Sequence, residues 1–150
     1  MNRRIAVRGI IVVDGKMLSI RHRDYNSDGP KDFWCTFGGG VEECEPLLSA
    51  LERELVEETG IKPDIGQLLY VQQFKGKYAG KDEDHIEFFF LINNAKDYLR
   101  LDLSKTTHGE KEIAEYAFID PSAHNVLPEF LCHENYNNLD NQQTKFFDYL

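Results

Sequence analysis

The sequence predicts an α/β sandwich in which a mixed β-sheet packs against helices. Stretches rich in β-branched and aromatic residues lie before and after one long segment with a helical pattern, and the chain ends in segments of helical character. With 150 residues, 41% of them hydrophobic, the chain has the length and composition of one folded domain, residues 1–150. We found no internal repeat, low-complexity tract or domain boundary.

The first part of the chain is predicted to form strands. Residues 5–13 are rich in β-branched side chains, Asp14-Gly15 is a hairpin-turn signal, and residues 17–22 alternate in polarity as a second strand does. Residues 23–32 contain Asp, Asn, Gly and Pro and therefore predict a loop. Residues 33–37 then predict a short strand that leads into three consecutive glycines, Gly38, Gly39 and Gly40.

A helix is predicted over residues 46–59. Pro46 suits the first helical turn, Gly60 suits a left-handed C-terminal cap, and no Pro or Gly lies between them. At about 100° per residue, one side of this helix becomes a core stripe and an adjoining arc becomes acidic. The stripe consists of Leu47, Leu48, Leu51 and Leu55, and the arc of Glu54, Glu57 and Glu58.

The rest of the chain is predicted to complete the sheet. Strands are expected near residues 68–74 and 85–92, with a polar, mobile connection over 75–84 between them. A second polar stretch covers residues 93–111, and a last strand follows at 115–119. Residues 121–132 and 142–150 are predicted to be helical.

The acidic arc is unfavourable without a cation. Residues 39–61 hold seven glutamates and one basic residue, Arg53, and so account for six of the nine net negative charges. Glu54 lies three and four residues before Glu57 and Glu58, where like charges repel by ~0.2–0.5 kcal/mol per pair. The last two also face the negative end of the helix dipole, at a cost of ~0.3–1 kcal/mol each. A divalent cation would reverse these penalties, although a solvated acidic face is the commoner reason for such a run.

The full spacing separates these two interpretations. Gly39 is followed after five residues by Glu45, and after seven more by Arg53-Glu54-Leu55, one residue, Glu57-Glu58, one residue, Gly60 and Ile61. This pattern is similar at every defined position to the signature of the Nudix hydrolase family, G-x(5)-E-x(7)-R-E-U-x-E-E-x-G-U, where U is aliphatic. The resemblance implies an α/β/α sandwich with a mixed sheet, of the mutator (MutT-like) type.

The resemblance also implies an activity and a set of site residues. It implies a Mg²⁺-dependent hydrolase, with Mn²⁺ as a possible substitute, that cleaves a phosphoanhydride bond in a nucleoside diphosphate linked to another group. Glu54, Glu57 and Glu58 match the positions that bind metal, and Arg53 matches an arginine that orients a catalytic glutamate. Hard carboxylate oxygens and substrate phosphates are the ligands that Mg²⁺ prefers.

The remaining site residues have less specific signals. The three glycines allow the backbone to approach a phosphate closely. Arg21 and Arg23 resemble the family's phosphate-binding basic residues but are equally compatible with solvated strand ends. Glu112 is the first candidate for the general base, with Glu110, Glu87 and a glutamate of the signature as alternatives.

The composition of the chain limits the classes of molecule that it is expected to bind. The net charge of −9 argues against nonspecific binding to nucleic-acid polymers or anionic membranes. Three cysteines without a Cys-x-x-Cys pair suggest neither a disulfide framework nor a zinc ribbon, and no apolar run suggests a signal peptide or a membrane span. We therefore expect a cytoplasmic protein, monomeric or homodimeric, that acts on a small-molecule nucleotide.

Substrate choice stays open at this stage. A damaged nucleoside triphosphate is one candidate, and a dinucleoside polyphosphate or a nucleotide sugar is the alternative. Tyr78 lies 17 residues after Ile61, an offset that resembles some dinucleoside polyphosphate hydrolases. Aromatic side chains near the predicted site are candidates for stacking on a base, namely Tyr25, Phe33, Trp34, Phe74 and Tyr78. A nucleotide-binding regulator without turnover is the alternative from a different class, and three mutually repelling carboxylates argue against it.

Overall fold

The computed structural model describes residues 2–27 and 29–150, except for the side chain of Tyr78. Two sheets form the framework. The first has five strands in the order β5-β1-β7-β6-β9, with β1 parallel to β7, β6 parallel to β9, and the other two pairs antiparallel. In the second, β3 pairs with β2, β4 and β8. The elements are β1 Asn2–Ile10, β2 Val12–Val13, β3 Lys16–Asp24, β4 Gly29–Pro30, β5 Gly38–Gly40, α1 Leu47–Thr59, β6 Ile65–Tyr78, β7 Lys81–Ile92, α2 Gly109–Glu112, β8 Ile113–Ile119 and β9 Lys145–Asp148.

The five-stranded sheet lies between two cores. Neighbouring residues of a strand point to opposite faces, so Phe90 packs with Leu51 and Leu55 of α1, whereas Phe89 packs with Phe130 and other residues of the C-terminal segment. The prediction of an α/β fold with a mixed sheet is confirmed. Every helix in the described part of the chain is too short or too polar to span a lipid bilayer.

Helix α1 agrees with its prediction to within one residue. It begins at Leu47 and ends at Thr59, with Pro46 at the N-cap and Gly60 in the left-handed conformation at φ 73°. The predicted stripe needs one change, because Leu48 is exposed and Ala50 is buried in its place. The buried face of the helix is therefore rotated by a fraction of a turn from the face that the sequence predicts.

Two further predictions, for residues 75–84 and for residues 33–37, are wrong. Residues 75–84 are not a mobile connection, because β6 and β7 continue through them as a hairpin that turns at Ala79 and Gly80, both with positive φ. Cross-strand contacts hold the extension, including the Lys75–Asp82 ion pair at 3.2 Å. Residues 33–37 are not a strand, since they make only isolated bridges, Ile20 with Cys35 and Trp34 with Val126.

The two C-terminal segments that were predicted to be helical, residues 121–132 and 142–150, contain no α-helix in the structure. Residues 142–150 contain β9, which pairs in parallel with Tyr70–Gln73 of β6 and stacks Phe147 on Phe130 with ring centroids 4.1 Å apart. Residues 121–132 contain two short 3₁₀ turns, Pro121–Ala123 and Glu129–His133, separated by a segment that includes Pro128. The layer opposite α1 is therefore irregular chain, because tertiary pairing outweighs local helix propensity.

Candidate active site

The carboxylates of α1 meet the glycines of β5 at the edge of the five-stranded sheet. Gly39 faces Glu54 so closely that a Cβ atom on it would lie 2.5 Å from the carboxyl carbon of Glu54. Gly38 has a φ of 144°, and a side chain there would overlap the carbonyl oxygen of Val7. These two positions need glycine for different reasons, the first for space around a carboxylate and the second for backbone conformation.

A cavity of about 480 Å³, which we call the carboxylate cavity, opens at this edge. It brings together glutamates from two helices, the three glycines and several basic side chains. Its lining consists of Arg4, Arg8, His22, Arg23, Tyr25, Lys31, Gly38, Gly39, Gly40, Glu54, Glu58 and Glu112. Seven of the predicted site residues therefore line one cavity, namely Arg23, Gly38, Gly39, Gly40, Glu54, Glu58 and Glu112. The order of β5, α1 and α2 along the chain did not by itself predict that they would meet.

Glu58 is the most deeply buried of these carboxylates. Only 4% of its surface is exposed, and among the described residues its Oε2 atom has no hydrogen-bond partner. Burial raises the pKa of Glu58 well above its usual value, Glu54 and Glu112 raise it further, and Arg8 opposes them. A buried, unsatisfied carboxylate oxygen is costly, and a bound cation would satisfy it.

Arg53 links the signature residues to one another. Its Nε and Nη2 atoms donate to the two carboxylate oxygens of Glu45 at 2.8 and 2.9 Å, and Nη2 also donates to the carbonyl oxygen of Gly40 at 3.1 Å. Its Nη1 atom donates to Glu54 Oε1 at 3.0 Å. The guanidinium thereby ties the start of α1 and strand β5 to the Glu54 carboxylate, a geometry that a bidentate fork suits.

Glu57, a predicted metal ligand, does not line the carboxylate cavity. Its Oε2 atom is 3.5 Å from Arg53 Nη1 and 3.5 Å from His108 Nδ1. Within residues 2–27 and 29–150, no three Asp, Glu, His or Cys side chains converge closely enough to enclose a metal ion. The chemistry of the donor set still fits Mg²⁺, which takes a few carboxylates and completes its shell with water and phosphate oxygens.

Helix α2 carries Glu112 to the cavity. The His108 N–H donates to the Glu57 carbonyl oxygen at 3.0 Å, and the Glu112 N–H donates to the His108 carbonyl oxygen at 3.2 Å. Gly109 packs against the end of α1, where a side chain would overlap the Glu58 carbonyl oxygen. Of the alternatives for the general base, Glu54 and Glu58 of the signature line this cavity, whereas Glu110 and Glu87 do not. Glu87 accepts a hydrogen bond from Arg8 at 3.1 Å.

The two predicted phosphate-binding arginines have different surroundings. Arg23 lines the carboxylate cavity and donates to the Glu110 carbonyl oxygen at 3.0 Å. Arg21 does not line it. It donates to the Lys31 carbonyl oxygen at 2.7 Å, pairs with Glu115 at 3.2 Å, and lies over the Trp34 ring. Strict alternation along β3 would place Arg21 and Arg23 on the same face of the strand. The strand register shifts between Arg21 and His22, and this irregularity accounts for their different surroundings.

A second cavity, of about 690 Å³, continues from the first. We call it the aromatic cavity because Phe33, Phe74 and Tyr149 line it, and the two cavities share Arg4, Arg8, His22 and Lys31. We call these four residues the shared wall. Burial lowers the pKa of His22, and Arg8 and Lys31 lower it further, so His22 is neutral at pH 7. The side chain of Tyr78, a predicted substrate contact, is outside the described residues.

Sequence reasoning did not predict the four residues of the shared wall. Arg4, Arg8 and Lys31 come from β1 and from the loop after β4, and nothing in their spacing relates them to α1. The one available signal was Arg8, a charge within the otherwise apolar run of residues 5–13. Buried charges in such positions are paired, and Arg8 pairs with Glu87.

Comparisons with known proteins identify the family of this chain. A family model, the NUDIX domain, matches residues 2–141. An RNA pyrophosphohydrolase of Dinoroseobacter shibae is 27% identical over 130 residues, which cover 77% of this chain and 76% of that protein. The crystal structure of the MutT protein from Methanosarcina mazei Go1 has a TM-score of 0.59 at 24% identity and covers 87% of this chain and 88% of its own.

A third similar protein bears the name of an ADP-ribose pyrophosphatase. The crystal structure of an ADP-ribose pyrophosphatase from Streptococcus suis has a TM-score of 0.60 at 12% identity, covering 95% of this chain and 98% of its own. At these identities the solved structures establish the fold, and the family match extends over nearly the whole chain. The chain therefore belongs to the Nudix family, as a hydrolase that cleaves a diphosphate bond in nucleotide-linked substrates.

Proposed function

We propose that this protein is a Mg²⁺-dependent pyrophosphohydrolase of small nucleotides, with a nucleoside triphosphate as the favoured substrate class. One observation supports it above the others: the carboxylate cavity and the aromatic cavity are joined by the shared wall of Arg4, Arg8, His22 and Lys31. A nucleotide has the same order of chemistry, with a flat apolar base at one end and a metal-binding polyphosphate at the other.

Each group has a role in this proposal. Glu54, Glu57 and Glu58 would hold Mg²⁺, which when bound polarises a phosphate and activates water. Arg53 positions Glu54 through its bonds to Glu45 and Gly40. Glu112 is the general base, since it shares the cavity with Glu54 and Glu58 and is not paired with Arg8 as Glu87 is.

The shared wall positions the phosphates in this proposal. The three cationic side chains Arg4, Arg8 and Lys31 offer charge-assisted donors, while neutral His22 offers a hydrogen bond without adding charge. Gly39 and Gly40 line the same cavity as the wall and carry no side chain, so a phosphate oxygen can approach the backbone there. Arg23 adds a further donor next to Glu112.

The experiment is a product assay on a panel of substrates with Mg²⁺, with Mn²⁺ and with EDTA. The panel contains ordinary and oxidised nucleoside triphosphates, a dinucleoside polyphosphate, a nucleotide sugar and a 5′-triphosphorylated oligoribonucleotide. The matched variants are Glu58→Gln in the cavity and Glu52→Gln on the outer side of the same helix, where Glu52 pairs with Lys62. We expect pyrophosphate and nucleoside monophosphate from a triphosphate, lost in Glu58→Gln and kept in Glu52→Gln.

Other outcomes lead to other conclusions. Turnover confined to a nucleotide sugar or a dinucleoside polyphosphate would replace the favoured substrate class. Turnover of the oligoribonucleotide alone would favour the activity in the name of the Dinoroseobacter shibae protein, against the expectation from the net charge of −9. Nucleotide binding without metal-dependent turnover of anything in the panel would favour a regulator.

A further inference from the structure

Gln72 is a buried polar side chain that lines the aromatic cavity. It lies in β6, only 4% of its surface is exposed, and it lines the cavity with Phe33, Phe74 and Tyr149. The neighbouring glutamines Gln67 and Gln73 donate to the Gln142 carbonyl oxygen and to Asp84. The Gln72 carboxamide, in contrast, makes no hydrogen bond to any side chain or backbone group that the structure describes, and its polar atoms are not sealed from solvent, so a molecule in the cavity can reach them.

Its surroundings offer a second polar group on the same side of the sheet. Gln72 is the register partner of Glu87 on β7, and Glu87 is itself 8% exposed and lines the same cavity. Arg8 holds Glu87 in place, because its Nε donates to Glu87 Oε2 at 3.1 Å while its Nη1 donates to the Thr36 carbonyl oxygen at 3.4 Å. Gln72 and Glu87 therefore form a fixed polar patch.

A buried carboxamide without a partner is unfavourable unless something else bonds to it. The lining of the cavity is mixed: Phe33, Phe74, Leu127 and Pro128 offer no polar side-chain atoms, and the polar side chains that also line it make no hydrogen bond to Gln72 in the described part of the chain. The partner must therefore enter the cavity, as a water molecule or as a ligand. A ligand that fits has a flat apolar body with hydrogen-bonding groups on one edge, which describes a nucleobase.

We infer that Gln72 is a specificity-determining residue that recognises the base of the substrate, and that the Gln72–Glu87 patch favours bases with an exocyclic amino group. This inference rests on the proposed function. Gln72 supplies one donor group and one acceptor, whereas Glu87 as a carboxylate supplies acceptors only. Acceptors are thus in excess. Cytosine and adenine present an amino group beside a ring acceptor, while uracil and hypoxanthine replace that amino group with a carbonyl.

The comparison that tests this effect uses pairs of substrates that differ only on that edge of the base, CTP with UTP and ATP with ITP, in which the amino group becomes a carbonyl and the adjoining ring nitrogen changes from an acceptor to an N–H donor. Sites built to hydrogen-bond a substrate group reject the analogue that lacks it strongly, by ~10⁴-fold in favourable cases. We expect the wild type to prefer the amino-bearing member of at least one pair by about 100-fold or more in kcat/KM. In Gln72→Met, which keeps the length of the side chain and removes its polar atoms, we expect the preference to fall below about 10-fold.

The loss should be mainly in KM, since Gln72 lies among the base-contacting residues and apart from Glu54 and Glu58. The matched control is Gln73→Met, on the opposite face of the same strand, which should keep the preference of the wild type. Gln72→Asn is the second variant, because it keeps the carboxamide and withdraws it by one methylene. Metal-free binding of CMP against UMP, and of AMP against IMP, measures the same preference without catalysis.

The outcomes separate this inference from the proposed function. Turnover of nucleotides by the wild type with no preference within either pair would overturn the inference alone. An unchanged preference in Gln72→Met and Gln72→Asn would do the same. Absence of both turnover and monophosphate binding in the wild type would overturn the proposed function, and the inference with it.

Discussion

Gly39 and Glu54 are in such close contact that no side chain fits between them. A Cβ atom at Gly39 would lie 2.5 Å from the carboxyl carbon of Glu54 and 2.6 Å from each of its oxygens. The spacing of fifteen residues between them in the chain therefore corresponds to a direct contact between strand β5 and helix α1. The glycine sets the position of a proposed metal ligand.

Gly39→Ala should lower activity while the protein stays folded. The added methyl group meets the flexible end of Glu54, so the carboxylate moves and the backbone does not need to. A misplacement of about 1 Å in a catalytic group can lower kcat by ~10²-fold. The measurement is kcat together with thermal unfolding. Gly29→Ala is the control, because Gly29 lines neither cavity and a Cβ atom there would have only Ser27 Oγ nearby, at 4.0 Å, and equal losses in both variants would contradict the prediction.

Glu58→Gln should abolish turnover and raise the melting temperature in the absence of metal. The substitution removes a buried negative charge whose neighbours Glu54 and Glu112 repel it. Differential scanning fluorimetry in EDTA measures the effect. A marked loss of metal-free stability would instead show that the carboxylate, and its attraction to Arg8, stabilises the fold.

Mg²⁺ should raise the melting temperature of the wild type, because a ligand that binds only the native state stabilises it by about 2.7 kcal/mol at a concentration of 100 Kd. The response should be lost in Glu58→Gln, reduced in Glu57→Gln and kept in Glu52→Gln. A melting temperature that stays constant across a millimolar Mg²⁺ titration of the wild type would argue against an accessible metal site.

Arg53→Lys should lower kcat although the charge is kept. Arg53 bonds to Glu45, Glu54 and Gly40 at the same time, and an ammonium group cannot reproduce that fork. Because its role is to position Glu54, we expect the KM for nucleotide to change little. A loss that appears in KM with kcat unchanged would mean that Arg53 binds substrate instead.

Glu45 should stabilise the fold in a pH-dependent way. The hydrogen bond from Arg53, together with the backbone N–H at Glu42, lowers the pKa of Glu45 from 4.5 to about 2. A lowered pKa in the folded state gives a stabilisation that is complete above the unfolded value and is lost as pH falls. The difference in melting temperature between wild type and Glu45→Gln should therefore be constant above about pH 5 and shrink between pH 4.5 and 2. A difference that does not vary with pH would contradict this.

The local features predicted from the sequence are those with a local cause. Helix α1 depends on Pro46, Gly60 and an uninterrupted run between them, and the turn at Asp14-Gly15 depends on two residues that accept positive φ. The C-terminal segment lacks such a cause. Its sequence is compatible with a helix, and it becomes strand β9 because β6 offers an unpaired edge and Phe130 offers a stacking partner for Phe147.

The same distinction applies to the site. The sequence by itself determined the family signature and the acidic arc of α1, because charge spacing on one helix follows from helical geometry alone. Only the tertiary structure decided that Arg8 and Lys31 share one cavity with Glu54 and Glu58 and a second cavity with Gln72 and Glu87, since these residues come from separate strands and loops. Sheet register and burial brought them together, and neither quantity can be deduced from the local sequence around Arg8, Lys31, Gln72 or Glu87.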